Sequence, residues 1–416
     1  MKVKRFVMEG GERHAVLIGN DSLPMIYPNL YITIHCRNKN LRNNSIIAVL
    51  EDIKFLYELL EHLGIRLEER LHKQNFLEIN EIEVIASKCC LQKKEFSNQS
   101  LKPKVISFPR NKERLRVNFV VKNVQVSSGF TYRRLTNFAN YIKWLERYFN
   151  PRLKTESHEL LLERRPHKNV NEVASEYKSF DSDQLKIILE IIENSKFSPS
   201  ERNMFFYYRK QLIIYLLLYL GCRKGELLNI KLTDIVPIKS AYKVVQIDKG
   251  HQYYINIKAA HNDPKDTRLN QPVVKTKNRS IGLNIKLKAK IDHYILNIRS
   301  AISNVEYTDF LLVTDDGKPL SISALDKILS ELSKETGFNI HAHAFRHTWN
   351  DIYTVKAQEL IQLNRINEAQ AENDRCYLMG WMSGSNSARR YARRAEEGRA
   401  IEMGLVIQDF FEGKHQ

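Results

Sequence analysis

His341-Ala-His-Ala-Phe-Arg-His-Thr-Trp349 sets a histidine and an arginine, His343 and Arg346, three residues apart. At helical spacing the two share one face. The imidazole can move a proton near pH 7, and the guanidinium is a permanent cation. A second histidine, His347, stands four residues from His343, the spacing of a metal pair. The Glu of a His-Glu-x-x-His motif and a nearby carboxylate ligand are both missing, so no metal is expected. A histidine with only a buried or capping role is the plain alternative.

Two other clusters flank this one in the chain. Upstream lies Gly221-Cys-Arg-Lys-Gly-Glu-Leu-Leu-Asn-Ile-Lys231, where an apolar helix ends at Gly221 and Arg223 follows at the start of the next. A fork of N–H donors at such a junction suits the non-bridging oxygens of a phosphate. Taken alone, Arg223 reads more readily as the structural partner of Glu226. Downstream, Gly380-Trp381 leads through a Ser/Gly/Asn turn to Tyr391, set among Arg389, Arg390, Arg393 and Arg394. A tyrosine in so cationic a setting should ionise more readily than a free one, whose pKa is about 10.

The 416 residues suffice for two domains, and the 43% apolar content is that of an ordinary globular chain. The charge is less ordinary. Lys and Arg outnumber Asp and Glu by 65 to 48, a net charge of +17, which draws polyanions, nucleic acid above all. Five cysteines, with no Cys-x-x-Cys pair, suggest neither a disulfide framework nor a zinc cluster and fit a reducing compartment. No signal-peptide core is seen at Met1–Glu9, and the apolar run from Leu212 to Leu220 is half a membrane span. The expected location is cytoplasmic and nucleoid-associated, with no membrane partner.

Periodicity divides the chain in two. Residues 1–40 read as extended and partly β-rich, around Ala15–Ile18 and Leu30–Ile34. Helices follow from Ser45 to a stop at Gly64, through Ile82 and Ile85, and from Thr131 with Leu135, Phe138, Ile142 and Leu145 on the buried face. Off that last face, Arg133, Arg134, Asn137 and Lys143 are candidates for phosphate contact. So is a basic loop at 102–122 carrying Arg110, Lys112, Arg114 and Arg116, with a plain solvated loop as the alternative. A polar linker at 166–178 separates this small helical domain, 1–165, from a second at 179–416. The second opens on a helix capped by Asp181 or Ser182. It continues through a long apolar helix from about Met204 to Leu220. Three β-rich patches (Tyr242–Ile247, Tyr253–Ile257, Val273–Leu283) predict a small antiparallel sheet. The fold class is therefore mainly α with a small antiparallel β-sheet, α+β. An apolar tail helix at 400–412 closes the chain.

In chain order, Arg, His-x-x-Arg, Gly-Trp and Tyr resemble the catalytic domain of the tyrosine recombinases, the phage-integrase-like family, over roughly residues 175–400. The N-terminal domain is similar to that family's helical core-binding domain in position, size and charge. The resemblance implies a C-shaped DNA clamp and assigns roles. Tyr391 is the nucleophile, Arg223 and Arg346 clamp the phosphate, His343 relays a proton, and Trp381 fills the position held by His or Trp. Glu226 is the acidic neighbour of Arg223, and His347 stands behind the site. The family's lysine precedes an Arg-x-(Val/Ile)-x-Leu strand, which here selects Lys275, with Lys277 as the alternative; Lys277, Arg389 and Arg390 also count as candidate DNA contacts. Gly282 replaces the family's usual Pro, Trp381 and Tyr391 are ten positions apart, and a polar insert runs from about Gln358 to Arg375.

The activity so implied is site-specific recombination of double-stranded DNA through a 3′-phosphotyrosyl intermediate and a Holliday junction. It would integrate or excise a mobile element without metal, ATP or other cofactor, and the sequence has no Walker-type Gly-rich loop. The family works as a tetramer, for which the tail is the candidate linker, with packing of the tail in cis as the simpler alternative, and an accessory directionality factor is a further candidate partner. The rival readings are a type IB topoisomerase-like relaxing enzyme and a non-catalytic architectural DNA-binding protein.

Overall fold

The computed structural model describes residues 1–39, 41–92, 125–152, 156–167, 178–194, 201–237, 253–259, 262–382, 400–401 and 403–408. The chain divides into two compact units. One comprises Met1–Met8 and Arg13–Ala174, the other Glu9–Glu12 and Ser175–Gln416.

The first unit opens with an antiparallel hairpin, β1 (Lys2–Val7) and β2 (Arg13–Ile18), with Lys2 opposite Ile18. Leu30–Ile34, read above as extended, is helical instead. Helix α1 (Ile26–Tyr31) runs on into a wide turn at Ile32–Arg37. Pro28 sits in the first turn of α1, where its missing N–H costs nothing. Burial of Tyr31, Ile32 and Cys36 overrides the β-branched preference of the segment. Then follow α2 (Asn43–His62), α3 (Leu67–His72), α4 (Ile79–Lys88), α5 (Ser128–Phe149) and α6 (Ser157–Glu163). Gly64, at φ 68°, closes α2, and Ile65 N–H returns to Leu60 O at 2.8 Å. The core is formed largely by Leu50, Ile53 and Leu56 of α2 with Leu135, Phe138 and Ile142 of α5.

One candidate phosphate contact on α5 is corrected here. Arg134 is 1% exposed. It donates to Cys89 O, just past the last turn of α4, and to Leu91 O beyond it, and lies 4.0 Å over the Phe55 ring. Arg133 is more exposed, yet spends its fork on buried Asp52 at 3.2 and 3.3 Å, where Asn137 also donates. Both arginines thus tie helices together. Lys143 is half-buried. The basic loop with Arg110, Lys112, Arg114 and Arg116 lies outside the described residues.

In the second unit, α7 (Ser182–Asn194) is capped by Asp181, whose Oδ1 accepts Gln184 N–H at 2.8 Å. Helix α8 (Glu201–Leu220) is apolar nearly all round, which suits its central place: Leu212 to Leu217 are all buried. After the short α9 (Lys224–Leu227) comes an antiparallel sheet in the order β3 (Ile235–Pro237), β4 (Tyr253–Ile257) and β5 (Arg279–Leu283). Ile255 stands opposite Ile235 on one side and Ile281 on the other. The expected strand at Tyr242–Ile247 lies outside the described residues, and the one expected over Val273–Leu283 begins only at Arg279.

Helices α10 (Ile285–His293), α11 (Ile322–Thr336), α12 (Ala342–Gln362) and α13 (Glu368–Met379) complete the unit. The polar insert Gln358–Arg375 is therefore the last turn of α12, a short loop and the start of α13. The architecture is mainly helical with small antiparallel sheets. Among the described residues no helix is long and apolar enough to cross a membrane. The tail is helical over 400–401 and 403–408, with Ile401, Met403, Leu405, Val406 and Ile407 all exposed.

Candidate active site

The site grows from the end of α8. Gly221 takes φ 56°, and a Cβ there would stand 2.7 Å from the Trp349 ring, so only glycine turns the chain this tightly. Arg223 follows in extended conformation as the residue that starts α9. Glu226 reaches back to accept the Arg223 backbone N–H at 2.9 Å, the acidic half of a capping box. The Arg223 guanidinium lies 3.7 Å from Glu226 Oε1, with its side chain 30% exposed. It is held from behind and open in front.

Glu226 is the hub. Its carboxylate is buried and meets Arg279 at 2.8 Å and Arg346 at 3.9 Å as well as Arg223, and it accepts the Thr276 hydroxyl. Burial pushes its carboxyl upward, but the Arg279 bonds and the Arg279 and Arg346 charges outweigh it and hold the group below its ordinary range.

Arg346 is fully buried on the second turn of α12. It donates to Gly221 O at 2.8 Å and to Met379 O at 2.9 Å, the C-terminal carbonyls of α8 and α13. Its guanidinium lies 5.4 Å from the Trp381 ring centre. Trp381 packs with Cys376, Met379 and Trp349 just beyond Gly380, whose φ of 65° ends α13. One side chain thus joins parts of the chain 125 and 33 residues away.

His343 lies one turn before Arg346, on a helix capped by His341, whose Nδ1 accepts Ala344 N–H at 3.1 Å. The His343 and His347 rings meet edge-on at 4.7 Å. Burial, then the Arg346 and Arg223 charges, lower His343 to about 4; burial, then His343, lower His347 to about 4. Both imidazoles are neutral at pH 7 and can accept a proton. Because the folded values lie below the ordinary 6.5, the folded state binds fewer protons than the unfolded in this range. The pair's contribution to stability is full above that value and is lost as pH falls toward 4. We expect the His343 and His347 imidazole C–H resonances of the free protein to titrate well below pH 6. Midpoints near 6.5 would contradict this geometry.

Lys275 and Lys277 are both exposed and lie in the irregular segment before β5. Lys275 stands between buried Val274 and Thr276, whose hydroxyl is bound to Glu226. Lys277 N–H donates to Gly380 O at 3.0 Å. The segment packs so closely on α9 that a Cβ at Gly225 would collide with Val273 O. Arg223, Glu226, His343, Arg346 and Trp381 are thus brought together, with His347 beside His343. Tyr391, Arg389 and Arg390 lie outside the described residues. Among the described residues no group of three or more His, Cys, Asp or Glu could hold a metal ion. Sequence reasoning passed over Arg279. The signal was present, since Arg279 is in phase with buried Ile281 and Leu283. Chemically, the arrangement offers guanidinium donors and a neutral imidazole to one anionic group.

Residues 178–362 match the model of the Phage integrase family. The tyrosine recombinase XerH of Campylobacter jejuni subsp. jejuni serotype O:2 is 23% identical over 199 residues, covering 47% of this chain and 46% of that protein. The chain thus matches about half the length of this curated relative. Among solved structures, XerH bound to a palindromic difH substrate after cleavage is 19% identical. It covers 67% of this chain and 66% of that one, with a TM-score of 0.41. Lambda integrase (residues 75–356) bound to DNA is 12% identical over 86% of this chain and 91% of that one, with a TM-score of 0.43.

Proposed function

We propose that this protein, whose residues 178–362 match the model of the Phage integrase family, is a site-specific DNA recombinase that uses Tyr391 as its nucleophile. The observation that carries the reading is the bridge from Arg346 to Gly221 O and Met379 O. It gathers the Arg223 turn, the His343 helix and the Gly380-Trp381 end into one pocket, as the order of the motifs requires.

In this reading the Tyr391 oxygen bonds to phosphorus as the P–O5′ bond breaks. The phenol proton passes toward His343, which is neutral and can take it. The electron pair of the broken bond stays on O5′, which takes a proton from the lysine ammonium of Lys275, with Lys277 as the alternative. Arg223 turns its open face to the non-bridging oxygens. Arg346, seated deeper, fixes the pocket and adds positive charge behind the phosphate. Trp381 buttresses that end with its apolar body. A 5′-hydroxyl from a second duplex then attacks the phosphotyrosine and releases the enzyme, and two rounds exchange all four strands. The exposed apolar residues of 400–408 dock on a neighbouring protomer, linking four copies around two duplexes. DNA is held by Lys143 and Lys277 together with the basic residues of 102–122, Arg389 and Arg390. The small N-terminal unit, ending near residue 165, grips one side of the duplex. The enzyme acts in the nucleoid of the cytoplasm on a mobile element.

Covalent trapping tests this. The protein is mixed in EDTA with DNA from the ends of the element that encodes it, nicked near the crossover. We expect an SDS-resistant adduct that Tyr391→Phe does not form, although it binds the same DNA. Tight and specific binding without any adduct would favour an architectural protein. An adduct that relaxes supercoils but never exchanges strands would favour a topoisomerase.

A further inference from the structure

The Arg279 guanidinium makes contacts that a surface strand arginine would not. Its side chain is 1% exposed. One end pairs with Glu226 at 2.8 Å, directly behind Arg223. Nε donates to Leu378 O at 2.6 Å, in the last turn of α13 before Gly380-Trp381. Nη1 reaches Thr276 Oγ1 at 3.3 Å, in the lysine segment. Thr276 is itself bound to Glu226, and Lys277 N–H to Gly380 O. A Cβ at Gly380 would stand 2.8 Å from both Arg279 Nη1 and Thr276 Cβ, so no slack separates the three pieces. Lys275 and Lys277, by contrast, are exposed and belong to no strand. A mobile ammonium on an irregular segment needs a fixed base if it is to meet a departing oxygen.

We infer that Arg279 is a positioning residue for the leaving-group proton. It pins the Lys275–Lys277 segment at once to the Arg223 turn and to the end of α13 from which the nucleophile segment departs. This rests on the recombinase reading above. Arg279 touches no reacting atom. Its part is to make the lysine and the Gly380-Trp381 end move as one body.

The test separates leaving-group protonation from everything else. Two nicked substrates are compared, one ordinary and one with sulfur in place of the bridging 5′-oxygen at the scissile phosphate. A thiol is far more acidic than an alcohol, so sulfur leaves without being protonated. We expect Arg279→Lys, which keeps the charge but loses the three-way fork, to slow capture of the ordinary substrate by about 100-fold. The sulfur substrate should be captured at close to the wild-type rate. Thr276→Val, which removes one hydroxyl and keeps the shape, should show the same pattern more weakly. Whichever of Lys275→Ala and Lys277→Ala is rescued by sulfur identifies the lysine. An equal loss on both substrates, or wild-type rates on both, would overturn the role of Arg279. If Arg279→Lys does not fold, Thr276→Val decides. Absence of adduct from the wild-type protein on either substrate would instead overturn the recombinase reading, and this inference with it.

Discussion

Glu226→Ala lowers the stability of the catalytic unit by about 3–5 kcal/mol, the usual result of removing one partner from a buried ionic cluster. The carboxylate is fully buried, and Arg279 and Arg346 beside it are 1% and 0% exposed at the side chain. Without it, these guanidiniums face each other with no counter-charge, and the Arg223 N–H loses its acceptor. Urea denaturation followed by tryptophan fluorescence reads the effect, since Trp349 and Trp381 both lie close by. A loss under about 1 kcal/mol, the range of ordinary substitutions, would mean the hub is not a hub. The pH dependence has a definite sign. Because the folded carboxyl is held below its ordinary 4.5, its contribution is complete above that value and disappears as pH falls through the lower folded one.

Arg223→Ala should do the opposite, sparing the fold and removing the chemistry. Its side chain is 30% exposed, and its own contact to Glu226 is 3.7 Å long. The hub keeps Arg279 and Arg346 without it. Stability should change by no more than about 0.5 kcal/mol, while covalent capture slows about 100–1,000-fold, the cost of one lost transition-state donor. Capture within about tenfold of wild type would remove Arg223 from the proposed mechanism. Arg346 cannot make this separation, because its two carbonyl bonds hold α8, α12 and α13 together.

Much of this was legible in the sequence, for an identifiable reason. The His343 to Arg346 spacing, Arg223 behind an apolar helix and Gly380-Trp381 are local patterns. Each also marks a helix end, and helix ends are what the site is made of. What sequence could not show was which arginines face inward. Arg134 stands beside Arg133 on α5, and helical spacing alone put both outside the apolar face; the carbonyls of Cys89 and Leu91, which accept from its guanidinium, hold Arg134 inside. For Arg279 the phase with Ile281 and Leu283 was visible, but what it meets was not. Its partners, Glu226 and Leu378, are 53 and 99 residues away, and no local pattern announces a contact across such distances. The Leu30–Ile34 segment misled through its β-branched residues, whose preference the packing of Tyr31 and Ile32 reversed.

The hub around Glu226 has one more consequence. A single carboxylate set among Arg223, Arg279 and Arg346 leaves two positive charges uncancelled in a largely buried pocket. In the proposed mechanism a phosphodiester brings one negative charge to it. A tyrosinate oxygen adding to that phosphorus makes the reacting centre doubly negative. In that mechanism these four groups, counted without His343 and the lysine, therefore match the charge of the species at the top of the barrier rather than that of the resting diester. Binding of that kind lowers the barrier without deepening the ground state.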